Sequence, residues 1–314
     1  MRSVSEDQEG MDVDALRNAL ETFCSSQSTE VLPNRPTKSQ DSWRKTYKHV
    51  IYCVPSFSNP SGKTMSLQRR EELIRVAREY DALIICDDVY DMLCWALGPM
   101  SESTRVQDSL NRLVDIECTL DDGPIDRFGN VVSNGSFSKL IGPGCRVGWA
   151  QGTKAFICGL SQAGQTRSGG APSQLTSTMV NKFFDGDFLQ NYIAKGLVPK
   201  CVNRYSVMVS AIERCLGPFG VAYNPDAQFS NIAGGYYIWL KLPGSLRAAD
   251  VCEKALEAQN LILGCGDLFE LPRSTSKGDG HQRLRLCFMY EDEDLLVAGV
   301  ERLAIVIKGM MLIN

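Results

Sequence analysis

The chain has 314 residues, 44% of them hydrophobic and 22% charged, so it is long enough to bury a large core, and we expect two domains. Its 33 basic and 37 acidic residues give a net charge of −4, which argues against the basic surface that nucleic-acid binding requires. The longest apolar runs are too short to cross a bilayer, so we expect no membrane role.

The cysteines and histidines narrow the class of protein further. The 12 cysteines are irregularly spaced without a CxxC pair, and residues 1–20 lack the charged-then-apolar pattern of a secretory signal. We therefore predict reduced thiols and a cytoplasmic protein. Because His49 and His281 are the only histidines, we expect neither a zinc site nor a histidine-based nucleophile.

The first predicted elements are a short helix and a polar insertion. Residues 11–23 have a helical pattern, with Asp12 or Asp14 near the start as a cap or as a partner of the helix dipole. Residues 24–48 are rich in Ser, Thr, Gln, Pro and Lys and show no apolar period. We expect a surface insertion or local disorder there.

A strand, a helix and a second strand follow in order. Residues 49–55 and 82–88 are apolar runs that predict buried strands. Between them, residues 66–80 form an amphipathic pattern. Its apolar face comprises Leu73, Ile74, Ala77 and Tyr80. The order is that of a βαβ unit, which predicts parallel strands.

Beyond this unit, a polar stretch at about 98–128 predicts a second insertion, and a strand ending in the turn that carries Lys139 follows it. Helical patterns cover about 173–215. Alternating patterns at 234–242 and 282–289 predict strands.

The chain is predicted to close with a helix at 291–308, which has acidic residues at its start and a lysine at its end. We found no internal repeat. We predict a larger domain at 1–198 and a smaller domain at 199–314.

Three short segments carry the side chains that point to chemistry. They are SNPSGKT at 58–64, IICDDVYDML at 84–93 and NGSFSKLIGPGCRVGW at 134–149. They place polar and charged side chains at the ends of successive strand-like runs, which is where a parallel sheet gathers catalytic groups. The set is typical of a pyridoxal phosphate site.

Together the segments resemble the class I and II aminotransferases of fold type I, most closely the branch with 2-aminoadipate, kynurenine and aromatic amino acid aminotransferases. The resemblance runs from about residue 9 to the C-terminus. It implies an α/β fold, with a mostly parallel sheet in a large domain like that of aspartate aminotransferase and a C-terminal α+β small domain. It also implies a homodimer that transfers an amino group between an α-amino acid and a 2-oxo acid.

Lys139 is the residue on which this interpretation depends. An aldehyde cofactor needs a primary amine, and lysine supplies one. Ser136 and Ser138 flank Lys139, and Arg146 follows seven residues later, so three groups that can bind phosphate lie near one lysine. In the family, the matching lysine carries the cofactor, and the matching serines and arginine hold its phosphate.

Asp87 ends an apolar strand, where an unpaired carboxylate would be costly to desolvate, so we expect a cation such as the protonated pyridine nitrogen to face it. Asp88 is the alternative, because side chains alternate across a strand and only one of the two can face the cofactor. The family pattern favours Asp87. It also implies that Tyr90 and Asn59 share the 3′-oxygen of the cofactor.

An arginine is expected to bind the substrate, because a bidentate guanidinium holds an α-carboxylate best. Arg285 lies in RLRLCF, which resembles the C-terminal family strand that supplies such a residue. Arg283 lies on the same face two residues earlier and is the alternative.

The family also has an upstream segment that is not found in this sequence. That segment supplies a phosphate-binding loop, an aromatic residue that stacks on the cofactor and an arm for the neighbouring subunit. We therefore expect a truncated large domain with weak cofactor binding. Two alternatives stay open: another reaction of the same fold, such as β-elimination or decarboxylation, and a non-catalytic protein that acts through partner binding.

Overall fold

The computed structural model describes residues 2–27, 42–97, 111–168, 173–223, 231–270 and 280–312. Within these ranges the α-helices are α1 Val13–Gln27, α2 Leu67–Glu79, α3 Leu113–Glu117, α4 Lys154–Ser161, α5 Gly164–Arg167, α6 Gln174–Asn181, α7 Phe188–Tyr192, α8 Val198–Cys215, α9 Ala248–Gln259 and α10 Glu293–Met311. The strands are β1 Glu6–Asp7, β2 Gly10–Met11, β3 His49–Cys53, β4 Ala82–Asp87, β5 Cys94–Ala96, β6 Val131–Ser136, β7 Gly148–Gln151, β8 Ala222–Tyr223, β9 Ile232–Gly234, β10 Tyr237–Lys241, β11 Gly264–Cys265 and β12 Arg283–Cys287.

The first large sheet has the strand order β3-β4-β6-β7. Its first three strands are parallel, and β7 runs antiparallel to β6. The predicted βαβ unit is β3, α2 and β4, so this part of the prediction is confirmed. The helix α2 starts at Leu67 because the Ser66 side chain accepts a hydrogen bond from the Arg69 N–H, at 3.1 Å.

Helices α1, α2 and α3 contribute to an apolar cluster with one face of this sheet. Leu73, Ile74 and Ala77 of α2 are fully buried there, as predicted. The start of α1 is capped by Asp12, whose carboxylate accepts the N–H groups of Asp14 and Ala15, each at 3.0 Å. Asp12 is therefore the cap, and Asp14 lies in the first turn.

The two predicted insertions need correction. Residues 24–27 are the last residues of α1, while 28–41 lie outside the described residues. Of the second stretch, 98–110 also lie outside the described residues, but 111–128 contain α3.

The helix α3 belongs to the core. Leu113 is fully buried, and the Glu117 carboxylate accepts the backbone N–H groups of Asn130 and Val131 at 2.5 and 3.2 Å. Because α3 has a single turn, it shows no apolar period in the sequence, and its prediction as an insertion was wrong.

A second sheet has the order β11-β12-β10-β8, and its strands are antiparallel. The predicted strands at 234–242 and 282–289 correspond to β10 and β12, and the predicted terminal helix is α10. A π-helical segment, Ile193–Leu197, joins α7 to α8. Across the described part of the chain, no helix combines the length and the apolar character that a membrane span requires.

A second apolar cluster joins β10, β12 and the C-terminal helices to the segments that follow β3, β4 and β6, and Trp149 of β7 packs against it. Strand β5, which follows β4, pairs with β9 of the later sequence. Trp95 of β5 packs edge-on against Tyr205 and Phe288, with ring centroids 5.6 and 6.2 Å away. Since contacts cross the position between residues 198 and 199, the division into 1–198 and 199–314 stays a prediction.

Candidate active site

Lys139 lies in a tight turn after β6, where the Phe137 carbonyl accepts the N–H groups of Leu140 and Ile141 at 3.1 and 2.8 Å. Its Nζ atom lies 4.7 Å from the ring centroid of Tyr236 and 6.0 Å from the centroids of Tyr90 and Tyr237. We call these three residues, Tyr90, Tyr236 and Tyr237, the tyrosine cage. The Tyr236 hydroxyl also donates to the Lys139 carbonyl at 2.7 Å.

Two glycines allow the second sheet to bring Tyr236 and Tyr237 to this turn. A Cβ atom on Gly234 would lie 2.4 Å from the Phe57 ring, and one on Gly235 would lie 2.9 Å from the Phe57 Cβ. Gly235 also has a φ of +73°, which side chains with a Cβ rarely adopt. The close approach of the Tyr236 segment to Phe57, in the loop after β3, therefore requires the sequence Gly-Gly before Tyr-Tyr.

Burial keeps Tyr90 and Tyr236 of the tyrosine cage in their hydroxyl forms. Desolvation raises the pKa of Tyr90, and the neighbouring Tyr237 hydroxyl raises it further. Desolvation likewise raises the pKa of Tyr236. Both side chains can therefore donate hydrogen bonds at neutral pH.

Asn59 lies in the turn between β3 and α2. This turn is closed by the Ser58 N–H, which donates to the Lys63 carbonyl at 2.8 Å, and by the Phe57 N–H, which donates to Thr64 Oγ1 at 3.0 Å. Arg285 Nη1 donates to Asn59 Oδ1 at 2.8 Å. The amide oxygen of Asn59 therefore faces the arginine, which leaves its NH2 group to donate elsewhere.

The Arg285 guanidinium is held between two aromatic rings. Its central carbon lies 4.1 Å from the Tyr237 centroid and 4.5 Å from the Phe269 centroid. Tyr237 thus contacts both Lys139 and Arg285. Arg283, the alternative, is paired with Lys241 in the sheet register, whereas Arg285 is the arginine that contacts Asn59.

The two consecutive aspartates face opposite sides of the first sheet. Asp87 accepts hydrogen bonds from the Tyr52 hydroxyl at 2.7 Å and from the Asn134 amide at 3.3 Å, and it is partly exposed. Asp88 is 3% exposed and accepts from Ser133 Oγ at 2.5 Å. Desolvation raises the pKa of Asp88, although Ser133 and a buried arginine oppose it. Only Asp87 is accessible to a ligand on the open face.

The predicted phosphate-binding residues are only partly brought together. Ser136 Oγ accepts the Ser138 N–H at 3.1 Å, so the two serines are adjacent at the start of the turn. Arg146 is exposed, has a left-handed φ of 50° and donates to the Pro143 carbonyl at 3.4 Å. Within the residues described here, Arg146 contacts neither serine.

The polar groups of this site fit pyridoxal phosphate. Lys139 offers a primary amine for the aldehyde, and Asp87 offers a carboxylate held by two donors from flanking strands. The amide of Asn59 and the hydroxyl of Tyr90 suit a phenolate oxygen. Hydroxyl groups and a guanidinium near the Lys139 turn suit a phosphate.

Several residues of the site were not predicted from the sequence. They are Tyr52, Asn134, Tyr236, Tyr237 and Phe269. The pair of tyrosines directly after a pair of glycines was a usable signal for a close backbone approach that presents two rings. We find no local signal for Phe269, because its contact with Arg285 depends on how β11 and β12 pair.

The sequence model of the family "Aminotransferase class I and II" matches residues 1–302. The chain belongs to this family. The resemblance stated from the three segments is therefore confirmed, and so is the fold class, because solved aminotransferases superpose on most of the chain.

Among the aminotransferase structures, the multiple substrate aminotransferase from Thermococcus profundus has a TM-score of 0.72 and 27% identity, covering 99% of this chain and 64% of that one. The α-aminoadipate aminotransferase LysN from Thermus thermophilus has a TM-score of 0.71 and 25% identity, covering 99% and 66%. That structure holds N-(5′-phosphopyridoxyl)-L-leucine.

Two curated relatives match most of the chain. The chain is 36% identical over 272 residues to uncharacterized protein YER152C of Saccharomyces cerevisiae, covering 86% of this chain and 58% of that protein. It is 28% identical to aromatic-amino-acid aminotransferase 1 of Thermococcus litoralis, covering 83% and 55%. The chain therefore spans between half and two thirds of the length of these relatives.

Proposed function

We propose that this protein is a pyridoxal-phosphate-dependent aminotransferase that moves an amino group between an α-amino acid and a 2-oxo acid. The observation that carries the proposal is the ring of Tyr237, whose centroid lies 6.0 Å from Lys139 Nζ and 4.1 Å from the central carbon of the Arg285 guanidinium. Lys139, Asn59 and Arg285 come from distant parts of the sequence, yet they converge on one small volume. Membership of the family supports the same conclusion. We further propose a cytoplasmic homodimer, as in the family.

In this proposal each side chain has a defined task. When bound, pyridoxal phosphate supplies an aldehyde that takes up the amino group and a ring that accepts electrons from the substrate. Lys139 would hold the cofactor by condensing with its aldehyde and releasing water; once displaced by the substrate amine, its free amine would move a proton between the substrate Cα and the C4′ atom. Asp87, held in place by Tyr52 and Asn134, would pair with the pyridine nitrogen.

The remaining groups orient the two ligands. Asn59 uses its NH2 group, and Tyr90 its hydroxyl, to donate to the phenolate oxygen. Arg285 binds the substrate α-carboxylate, and the aromatic rings on both its faces fix the guanidinium plane before the substrate arrives. We assign the phosphate to Ser136, Ser138 and Arg146, with Arg146 turning from its exposed position.

The test is covalent trapping. The purified chain is mixed with pyridoxal phosphate, reduced with borohydride and mapped by peptide mass spectrometry. We expect the reduced cofactor on Lys139 and no label in the Lys139→Arg variant at this peptide. Label on another lysine with an unlabelled Lys139 would overturn the assignment.

A second measurement concerns the reaction itself. Incubation with an amino acid and 2-oxoglutarate should yield the matching 2-oxo acid and glutamate in equal amounts. Release of ammonia in place of glutamate would indicate an elimination and contradict amino group transfer.

A further inference from the structure

A cavity lies beside the Lys139 turn, and none of the tyrosine cage residues lines it. We call it the rear cavity; its volume is about 760 Å³. Phe137, Trp149 and Phe184 line it and form an aromatic wall, with Phe137 4.8 Å from Trp149 and 5.9 Å from Phe184 between ring centroids. Pockets for small organic ligands in proteins occupy about 300–1,000 Å³ and are mostly apolar. The rear cavity has that size and character.

The aromatic wall can form because position 135 is a glycine. A Cβ atom on Gly135 would lie 2.1 Å from the Trp149 ring, so the ring can lie against the β6 backbone only because position 135 lacks a side chain. Gly135 and Trp149 are partners in the β6-β7 register. The Trp149 ring is therefore fixed in place as one surface of the cavity.

The lining of the rear cavity includes two carboxylates, Asp91 and Asp115, and one cation, Arg112. Arg112 donates to Asp115 through Nε at 2.8 Å and through Nη2 at 3.1 Å. Its remaining Nη1 atom lies 3.8 Å from Asp91 Oδ2, beyond hydrogen-bond distance. Arg112 is thus engaged mainly by Asp115.

Few groups stabilise the charge of the buried Asp91 carboxylate. Its side chain is 12% exposed, and Arg112 is the only cation within ion-pair distance of it in the described part of the chain. Desolvation raises the pKa of Asp91 to about 6; Asp88 and Asp115 add to this, and Arg112 and the Met92 N–H oppose it. A buried carboxylate in this position is stabilised by a cationic ligand.

We propose that the rear cavity binds an aromatic primary amine, with its ammonium group on Asp91 and its ring on the aromatic wall. The charges in the lining favour a cation, because two carboxylates accompany one guanidinium. A flat ring suits the wall, because aromatic pairs add to the stabilisation that burial alone gives. A carboxylate-bearing ligand of the same shape would be repelled by Asp91 and Asp115.

The rear cavity is distinct from the proposed catalytic site, although the two share walls. In the loop after β4, Tyr90 belongs to the tyrosine cage and the next residue, Asp91, lines the cavity. In the turn after β6, Lys139 belongs to the cage, while Phe137 and Leu140 line the cavity. An amine bound in the rear cavity therefore contacts both the loop after β4 and the turn after β6.

The experiment uses tryptamine as the probe, titrated by isothermal calorimetry into the full chain without pyridoxal phosphate. We expect saturable binding of tryptamine and no binding of indole-3-acetate at the same concentrations. Equal binding of the two compounds would overturn the proposal, since it would show that Asp91 does not select charge.

Three variants locate the site. Asp91→Asn keeps the shape and removes the charge, and should weaken tryptamine binding by about tenfold or more. Asp122→Asn, at a different surface, is the matched control and should bind like the wild type. Lys139→Ala should also bind like the wild type.

Two outcomes would contradict this assignment: unchanged affinity in Asp91→Asn, or loss of binding in Lys139→Ala, which would put tryptamine in the tyrosine cage. Line broadening of tryptamine resonances in NMR spectra provides an independent measure for any variant too dilute for calorimetry. Broadening that persists in Asp91→Asn counts against the proposal.

Discussion

The Tyr236 hydroxyl connects the second sheet to the main chain of Lys139 through a single hydrogen bond of 2.7 Å. Tyr236→Phe removes this bond and keeps the ring near Nζ. We expect the free energy of unfolding to fall by about 0.5–1.5 kcal/mol, measured by urea denaturation. Tyr205→Phe is the control, because the Tyr205 hydroxyl has no hydrogen bond within the described residues while its ring packs in the same cluster.

A smaller loss in Tyr236→Phe than in Tyr205→Phe would contradict the importance of this bond. If the bond positions Lys139, the variant should also trap pyridoxal phosphate on Lys139 more slowly at equal folded fraction. A purely structural hydrogen bond would change stability and leave this rate unaltered.

Arg285 and Arg283 can be separated by substitution. Arg285→Ala removes a charge-assisted contact of about 1.5–3 kcal/mol, so amino acid binding should weaken about tenfold to a hundredfold. Cofactor trapping on Lys139 should remain, since the residues proposed to hold the phosphate do not include Arg285. The measurement is the concentration dependence of the cofactor absorbance change on adding an amino acid. A stronger effect from Arg283→Ala would reassign the role.

The residues of the site differ in how far sequence could predict them. Asn59, Asp87 and Lys139 each lie at or after the end of a strand-like run, so local pattern made them candidates, and the family resemblance gave them their predicted roles. The choice between Asp87 and Asp88 depends on which sheet face is covered, and the alternation of side chains alone left it open. Phe269 and Tyr52 join the site through contacts between strands. A single sequence does not show which strands are neighbours.

At the level of elements, α3 shows where pattern reasoning failed. Its apolar side chains are buried, but one helical turn is too short to show a 3.6-residue period. By contrast, β3, α2 and β4 were predicted correctly, because each is long enough to show its period and α2 has a serine cap.

The importance of α3 can be measured. Leu113 is fully buried, so Leu113→Ala should lower the free energy of unfolding by about 2–5 kcal/mol through lost burial and the cavity left behind. Leu175→Ala is the control, because Leu175 of α6 is 70% exposed and its change should stay within about 0.5 kcal/mol. Similar small losses in both variants would show that α3 is not part of the cooperative core.

For the whole molecule, Asp91 makes stability depend on pH. Its folded pKa is raised from 3.8 to about 6, so the folded state favours the protonated form. The contribution to stability is present below pH 3.8 and is lost as the pH rises through about 6. The cause is burial first, with Asp88 and Asp115 adding to it and Arg112 opposing it.

Asp91→Asn should remove this dependence. The free energy of unfolding of the variant relative to the wild type should rise between pH 4 and 7 by up to about 3 kcal/mol, and then stay constant. Urea denaturation at a series of pH values gives the difference. A constant difference across this range would contradict the raised pKa.

The contact between Arg285 and Asn59 joins residues 226 positions apart in the sequence. Closing so long a loop costs conformational entropy. Both sheets must be ordered before the contact can form and offset this loss. We therefore expect this contact to form late in folding and to open early in local unfolding. A proteolytic fragment that retains only the first sheet would keep Asn59, Asp87 and Lys139 but would lose Arg285 and its contact with Asn59.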